Sequence, residues 1–272
     1  MTIVLVACKK DLASMNIADH VLDLLNPRKI SESLGNPVYN LFEDVLMVFI
    51  EKEHIFYDRL DSDLSRALGI RPKIIIFLSR HSSATGIRTL TVHPIGNFRE
   101  NTYGGLPKTL VPAEPYLMSE TLRCLYEASK DLDYKYSYEV THHGPYLSSR
   151  AFFVEIGSNE ASWRDPDAGS AVASAVVNSL ERYLNKEHSR KKPIVGVGGG
   201  HYAPRFSSYA LEGYNFGHMV PEHYMSLESV LMALQMTPEA SSVGFHWKGS
   251  NEKYLELYRA LKEKGIKVEK LK

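Results

Sequence analysis

Histidines recur in this sequence where apolar, strand-like segments end. Five of the eleven follow such a segment directly and a sixth lies in the loop after one; they are His81, His142, His143, His201 and His246, with His218 as the sixth. Loops at the strand ends of an α/β sheet are held by a rigid scaffold and carry many catalytic groups. This placement predicts a shared site, where imidazoles are suited to proton transfer or metal binding.

The most informative segment spans residues 139–157. It begins with alternating polar and apolar residues and breaks at His142-His143-Gly144-Pro145. It then continues as an apolar strand at 151–156 that contains Glu155. Two imidazoles on a loop, facing a carboxylate on the neighbouring strand, favour a metal or acid–base site. The structural alternative is a turn with two solvated histidines and a glutamate paired to an arginine.

Zinc binds neutral imidazoles and carboxylates and leaves one position for water at catalytic sites. The sequence has no HExxH motif and no cysteine pair at zinc spacing. A ligand set drawn from separate strands remains compatible with zinc, and we predict it to be His142, Glu155 and His201. Zinc-bound water, with a pKa of roughly 7, would attack an ester or amide carbonyl.

Catalysis by a free water is the alternative, with a histidine as general base and a cation on the oxyanion. The residues assigned to catalysis are His143, His81 and Lys248, and Arg205 is a second candidate for the oxyanion. A GxSxG motif is absent, so the sequence does not predict a serine nucleophile of the α/β-hydrolase type.

Three glycines, 198–200, directly follow the strand-like run at 194–197. Glycine permits positive φ and close approach of the backbone to a ligand. The segment matches neither a Walker loop nor the spaced GxGxxG of dinucleotide-binding folds. We expect a substrate-binding loop here, and the residues assigned to substrate binding are Gly199, Gly200, Arg205, His218 and His246.

The composition is that of an ordinary globular protein, with 44% hydrophobic and 24% charged residues among 272. Lys+Arg and Asp+Glu both number 32, so any contact with nucleic acid must rest on a local patch. Only two cysteines occur, which favours a reducing compartment. The apolar run at 2–8 is too short for a membrane span and lacks a basic leader, so we expect a cytoplasmic protein.

Strand and helix patterns alternate along the chain, which predicts an α/β fold with a largely parallel sheet flanked by helices. We expect one domain, 1–272, with a long functional loop at about 79–115. Strands are predicted at 2–8, 45–50, 55–57, 74–78, 136–140, 151–156, 194–197 and 242–245. Helices are predicted at 12–25, 61–68, 117–129, 227–236 and 252–264, with a long one capped by Ser162 and ending at 184.

Three motifs, THHGP at 141–145, FVEIGSNEASW at 153–163 and GVGGGHYAPRF at 196–206, carry a family resemblance. The chain resembles the archaeal and plant type of D-aminoacyl-tRNA deacylase over its full length. This resemblance implies hydrolysis of the ester that joins a D-amino acid to the 3′ end of tRNA. It also implies a zinc requirement and a fold akin to peptidyl-tRNA hydrolases and phosphorylases.

This activity is consistent with the residues. D-selectivity could arise from a pocket that sterically excludes the L side chain, with the glycines at 198–200 crowding the substrate Cα. For the tRNA, the best candidate patch is Arg190, Lys191 and Lys192; a solvated linker is the alternative. No obligate protein partner is evident.

Two other functions remain open. A transferase similar to nucleoside phosphorylases would grip phosphate with the glycine loop, and it predicts phosphate dependence without zinc. A non-catalytic tRNA-binding protein would use its histidines and arginines only to contact the acceptor end, and it predicts tRNA binding without turnover.

Overall fold

The structure is a computed structural model that describes residues 2–100, 103–247 and 252–272. Within these residues the strands are β1 (Thr2–Cys8), β2 (Arg28–Ser33), β3 (Asn36–Phe42), β4 (Val45–Ile50), β5 (Pro72–Arg80), β6 (Thr89–Pro94), β7 (Gly96–Asn97), β8 (Thr109–Leu110), β9 (Lys135–Tyr138), β10 (Arg150–Gly157), β11 (Ile194–Val197), β12 (Phe216–Val220), β13 (Ser242–His246) and β14 (Val268–Leu271). The helices are α1 (Leu12–Leu25), α2 (Leu60–Leu68), α3 (Pro115–Ala128), α4 (Glu160–Trp163), α5 (Pro166–Leu184), α6 (Pro204–Leu211), α7 (Leu227–Gln235) and α8 (Glu252–Glu263).

Eight strands form the larger sheet, in the order β2-β3-β4-β1-β5-β10-β6-β9. Its centre is parallel, because β1 pairs in parallel with β4 and β5, and β5 pairs in parallel with β10. A second sheet, β12-β11-β13-β14, is parallel throughout. The predicted α/β class with a largely parallel sheet is confirmed.

The central strands are apolar on both faces because helices cover both. Ile74 and Ile76 of β5 face the core that contains α1, α3 and α5, whereas Ile75 and Phe77 face the core beneath α2. Burying one such side chain contributes about 1.5–3 kcal/mol, so these runs fix the sheet as the interior. Asp11 caps α1 by accepting from Ser14 N, and its second oxygen accepts from the N–H of Arg80.

The two sheets are joined at the segment that follows β9. The N–H of Val140 donates to the carbonyl of His201 at 3.0 Å, and the N–H of Thr141 donates to the carbonyl of Met219, also at 3.0 Å. An isolated bridge pairs Glu139 with Tyr202. These contacts bring the loop after β11 against the segment that carries the paired histidines.

Three predicted elements differ from the structure. The strand expected at 55–57 is a 3₁₀ helix, His54–Phe56. The long loop expected at 79–115 contains β6, β7 and β8, since the buried β6 is framed by glycines and prolines that suggested a loop. The long helix begins at Pro166 and is capped by Asp165, while Ser162 lies in the short α4.

Besides β6, β7, β8 and α4, five further strands and helices were not expected from the sequence: β2, β3, β12, β14 and α6. The β2–β3 hairpin was missed because its edge strand is polar and exposed. Its two turn residues, Leu34 and Gly35, take φ of 51° and 75°, which a two-residue hairpin turn requires. Within the described part of the chain, no helix is both long enough and apolar enough to cross a bilayer.

Candidate active site

A cavity of about 530 Å³ lies beside the carboxyl ends of β1, β5 and β10. Parallel strands place their following loops at one edge of the sheet, which brings together the residues that follow β1 and β5. His142 and His143 belong to the segment between β9 and β10, where an isolated bridge pairs His142 with Ile95, the residue after β6. The cavity is lined by five histidines together with cysteine, acidic and aromatic side chains. Its main polar lining residues are Asp11, Glu53, His54, Arg80, His81, His142, His143, Glu155 and His201.

Glu139 is the most enclosed acid of this region, with a side chain that is 0% exposed. Its Oε2 lies 2.9 Å from His201 Nε2, and its Oε1 lies 3.2 Å from His81 Nδ1. Neither oxygen accepts a hydrogen bond of good geometry in the described structure. Burial would raise the pKa of Glu139, but the contact with His201 and the neighbouring imidazoles of His81 and His142 lower that pKa below its ordinary range. The carboxylate is therefore held ionised.

Three imidazoles beside Glu139 are oriented by backbone carbonyls. The Nδ1 atoms of His93, His142 and His143 lie 3.1, 2.7 and 2.6 Å from the carbonyls of Pro94, Val140 and Gly144. A carbonyl only accepts, so each Nδ1 carries a proton, and in a neutral ring Nε2 then keeps its lone pair. The set His93, His142 and His143 has ligand atoms within 4.8 Å of one another.

The electrostatics favour neutral rings at His142 and His143 but not at His93. Burial would lower the pKa of His93, but the carboxylates of Glu155 and Glu139 raise that pKa above the ordinary imidazole value. Burial, followed by the nearby His93, lowers the pKa of both His142 and His143 well below the ordinary imidazole value. His143 also takes φ of 42°, a left-handed conformation that is rare outside glycine and common at functional sites.

These residues fit a zinc ion. Metal-bound histidines typically donate their second ring N–H to a carbonyl or carboxylate, as this trio does. His93 Nε2 is buried without a hydrogen-bond partner among the described residues, as are both oxygens of Glu139. Two further sets meet the same distance limit and share Glu139: His81 with His201, and His93 with Glu155.

His81 contacts both carboxylates of the cluster and the hydroxyl of Tyr202. Its Nε2 lies 2.9 Å from the hydroxyl of Tyr202, and its Nδ1 lies 3.7 Å from Glu155 Oε2 as well as near Glu139. With Nδ1–H facing carboxylates, Nε2 accepts from the tyrosine. His81 is thus held at both ring nitrogens, whereas the His201 side chain is 45% exposed.

The structure brings together most of the residues assigned to metal binding and catalysis from the sequence: His81, His142, His143, Glu155 and His201. The predicted ligand set of His142, Glu155 and His201 is not among the three groups whose ligand atoms lie within 4.8 Å of one another in the described residues. Lys248 lies outside the described residues.

Sequence reasoning missed His93 and Glu139. His93 was treated as part of a loop, although it lies in β6, opposite Phe153 of β10. Glu139 was treated as one polar residue of an alternating strand. The spacing Glu139-x-x-His142-His143 was the available signal, because it places an acid one short turn before two imidazoles.

The residues assigned to substrate binding do not line the cavity: Gly199, Gly200, Arg205, His218 and His246. Arg205 lies on α6 and His246 ends β13. His218 is fully buried in β12, where its Nε2 donates to the carbonyl of Val111 at 2.9 Å. Gly199 does take the positive φ expected of a glycine loop, at 88°.

The basic patch Arg190, Lys191 and Lys192 is exposed and precedes β11, whereas His201 follows it. The four residues of this strand separate the patch from the cavity by about 13 Å or more. Lys191 donates to the carbonyl of Glu212 at 2.8 Å and lies over the ring of Tyr214.

An α/β fold that gathers imidazoles and carboxylates at the carboxyl ends of parallel strands is typical of a hydrolytic enzyme. Residues 68–269 match the model of the D-aminoacyl-tRNA deacylase family. The chain belongs to that family, and the resemblance noted in the sequence motifs is confirmed.

Named relatives extend the match to almost the whole chain. The D-aminoacyl-tRNA deacylase of Thermococcus kodakarensis is 40% identical over 267 residues, covering 96% of each chain. That of Pyrococcus horikoshii is 37% identical over 264 residues, covering 95% of each. A solved structure described as a conserved protein of unknown function is 29% identical with a TM-score of 0.87, covering 99% of this chain and 95% of that one.

Proposed function

We propose that this protein hydrolyses the ester of D-aminoacyl-tRNA, releasing the free D-amino acid and tRNA. The observation that carries the proposal is the buried Glu139, surrounded by imidazoles from both sheets beside an open cavity. Relatives that bear the deacylase name at 37–40% identity support the same reaction. Because site residues come from both sheets, we also propose that 1–272 acts as one unit. We further propose that it acts in the cytoplasm and without an obligate protein partner.

Ester hydrolysis needs a proton removed from water and a proton delivered to the leaving ribose oxygen. His201 is suited to both steps, because it is the exposed imidazole of the cluster and its Nε2 faces the ionised Glu139. A proton on Nε2 leaves Nδ1 free to accept the proton of the attacking water. Water oxygen then bonds to the carbonyl carbon, the bond from that carbon to the ribose oxygen breaks, and the proton passes to the ribose.

Zinc is proposed as the cofactor, held by His93, His142 and His143 through Nε2, with the sequence-based set of His142, Glu155 and His201 as the competing assignment. Zinc, when bound, supplies Lewis-acid polarisation at the reacting centre. The protein's own contribution is to fix the ring orientations through the carbonyls of Pro94, Val140 and Gly144. Glu155 lies 3.7 Å from His93 Nε2 and balances charge there.

Metal content separates the two ligand sets. Both predict that His142→Ala lowers zinc per protein, whereas His93→Ala lowers it only for the imidazole trio and His201→Ala only for the competing set. Zinc would be measured on purified, folded protein by atomic emission, with circular dichroism as the folding control. Full zinc in all three variants would rule out both assignments.

The reaction itself is tested by chirality. Matched D- and L-tyrosyl-tRNA should be hydrolysed at very different rates, with the D form strongly preferred. A site that selects by excluding the L side chain touches the substrate near Cα, so D-aspartyl-tRNA should also be a substrate. Equal rates on the two tyrosyl enantiomers would refute proofreading, and activity on one D-amino acid alone would refute the exclusion mechanism.

A further inference from the structure

One exposed aromatic side chain lines the histidine cavity, and a second follows the lining residue Ile55. Tyr103, which lines the cavity, is 64% exposed, and Phe56 is 44% exposed. Eight large apolar side chains are exposed among the described residues, and these two are the aromatic ones. A single exposed apolar side chain is ordinary, but two rings together beside a reactive cavity indicate a binding surface. This pair is called the aromatic rim below.

The backbone holds the aromatic rim in place. The carbonyl of Tyr103 accepts from the N–H of Gly144 at 2.9 Å, and the carbonyl of Gly104 accepts from Asn97 Nδ2, also at 2.9 Å. Gly104 packs so closely on the 3₁₀ turn that a methyl group on its Cα would lie 1.7 Å from the Ile55 carbonyl oxygen and 3.4 Å from Phe56 Cδ1. The rim is therefore clamped between that turn and the one after His143, and presenting its rings costs little ordering entropy.

Cations continue from the rim along the surface. Arg59 follows Phe56 by three residues, is exposed, and has its N–H bonded to the carbonyl of Tyr146 at 2.8 Å. It lines a second cavity together with Arg66 and Arg71, where three arginines outnumber the two aspartates, Asp58 and Asp63. Among the described residues, no carboxylate lies within ion-pair distance of Arg59 or Arg71, although Arg66 pairs with Asp63. Positive charge beside exposed rings suits a phosphate backbone with unstacked bases.

We propose that the aromatic rim stacks on the unpaired 3′-terminal nucleotides of the RNA substrate, with their phosphates directed towards Arg59. This inference rests on the proposed function and names the part of the substrate that the mouth recognises. Base stacking on an aromatic ring is tolerant of sequence, because every base has a π-face. The rim would therefore hold any charged tRNA while the aminoacyl ester enters the cavity.

The test uses RNA hairpins with 2-aminopurine in a four-nucleotide unpaired 3′ tail, and blunt hairpins of the same stem. The wild type should quench the 2-aminopurine fluorescence and bind the tailed hairpin more tightly than the blunt one. Tyr103→Ala should abolish the quenching and weaken binding of the tailed hairpin by ~10-fold or more, the scale of one base–aromatic stack. Tyr103→Phe keeps the ring and should behave as the wild type.

Ile30→Ala is the matched control, because Ile30 is 54% exposed on β2, away from the cavity. Phe56→Ala gives a second, independent variant, expected to show a smaller loss for the tailed hairpin. On D-tyrosyl-tRNA, Tyr103→Ala should raise KM about tenfold and leave kcat within about twofold, since stacking binds without entering the chemistry.

Equal binding of tailed and blunt hairpins by the wild type, or undiminished quenching by Tyr103→Ala, would overturn the proposal and leave the rim to a protein partner. The binding arms need no turnover. Absence of D-tyrosyl-tRNA hydrolysis by the wild type would therefore count against the proposed function, while tail-dependent quenching would still support the stacking surface.

Discussion

His93 and His218 are both completely buried, yet they differ in what their ring nitrogens contact. His218 Nε2 donates to the carbonyl of Val111, and its Nδ1 lies 3.1 Å from Thr141 Oγ1. His93 Nδ1 donates to the carbonyl of Pro94, but its Nε2 lacks a hydrogen-bond partner among the described residues. A buried polar atom without a partner costs about 1–3 kcal/mol unless something binds it.

The comparison shows that burial alone does not distinguish a structural histidine from a functional one. His218 completes a hydrogen-bond network that ties β12 to Thr141, whereas His93 Nε2 lies 3.7 Å from Glu155 Oε2 and makes no hydrogen bond among the described residues. The unsatisfied nitrogen of His93, beside the carboxylates of Glu139 and Glu155 and the imidazoles of His142 and His143, is what identifies the site.

The largest expected effect is on activity, and it tests the difference between His93 and His218 directly. His93→Gln should lower kcat/KM on D-tyrosyl-tRNA by roughly 10³-fold or more, as loss of a ligand or acid–base group does. It should leave the melting temperature near that of the wild type. His218→Gln should do the reverse, with kcat/KM within a few-fold and a lower melting temperature. Kinetics and thermal melts on both variants test this prediction. Equal losses of activity would show that His93 and His218 do not differ in function.

The next effect concerns acid stability. Burial lowers the pKa of His218 to about 4, against an ordinary value of 6.5. Below pH 6.5 the unfolded chain takes up a proton at this imidazole and the folded chain does not. Stability should therefore fall as the pH falls from 6.5 to about 4, by about 3 kcal/mol from this residue, and then level off.

Urea unfolding at pH 7, 5.5 and 4 measures this contribution. His218→Gln should show a shallower loss of unfolding free energy over this range than the wild type, because its amide does not titrate. Parallel curves of unfolding free energy against pH for the two proteins would show that the pKa of His218 is the same in the folded and unfolded chains. His218 would then no longer stand as the structural histidine of the comparison.

A smaller effect, on stability, distinguishes two glycines of the loop after β11. Gly199 takes φ of 88°, and a methyl group there would lie 3.4 Å from His246 Nδ1. Gly200 takes no such φ and has open space around its Cα. Gly199→Ala should cost about 1–2 kcal/mol of stability through backbone strain, whereas Gly200→Ala should be neutral in melting temperature. A drop in activity of Gly200→Ala without loss of stability would show that substrate reaches Gly200.

The smallest effect concerns the surface on which tRNA lies. Replacing Arg190, Lys191 and Lys192 together by alanine should raise KM for charged tRNA and flatten the salt dependence of binding. The slope of log K against log salt should change by about 0.7–0.9 for each phosphate that the variant no longer neutralises. Replacing Arg59, Arg71 and Lys73 together is the matched comparison, because these cations line the two cavities beside α2. If a triple variant keeps the wild-type slope of log K against log salt, its three cations lie away from the bound RNA.

The sequence by itself determined the α/β class, the central strands and most helix bounds. Runs such as Ile74 to Leu78 are typical of a strand buried on both faces. Local signals were also sufficient for the start of α1, where Asp11 accepts from Ser14 N, and for the end of α2, where Gly69 takes a left-handed conformation. The hydrophobic pattern also identified the histidines that follow strands, since strand ends are visible in it.

Only the tertiary structure decided which of these residues meet. Glu139 and His201 are distant in sequence and are brought within 2.9 Å by the pairing of the Val140 segment with the loop after β11. His93 enters the site because β6 pairs antiparallel with β10. Long-range strand pairing leaves no signature in a single sequence, because the same apolar pattern fits several neighbours. The sequence therefore identified candidate groups, and the fold selected those that share a site.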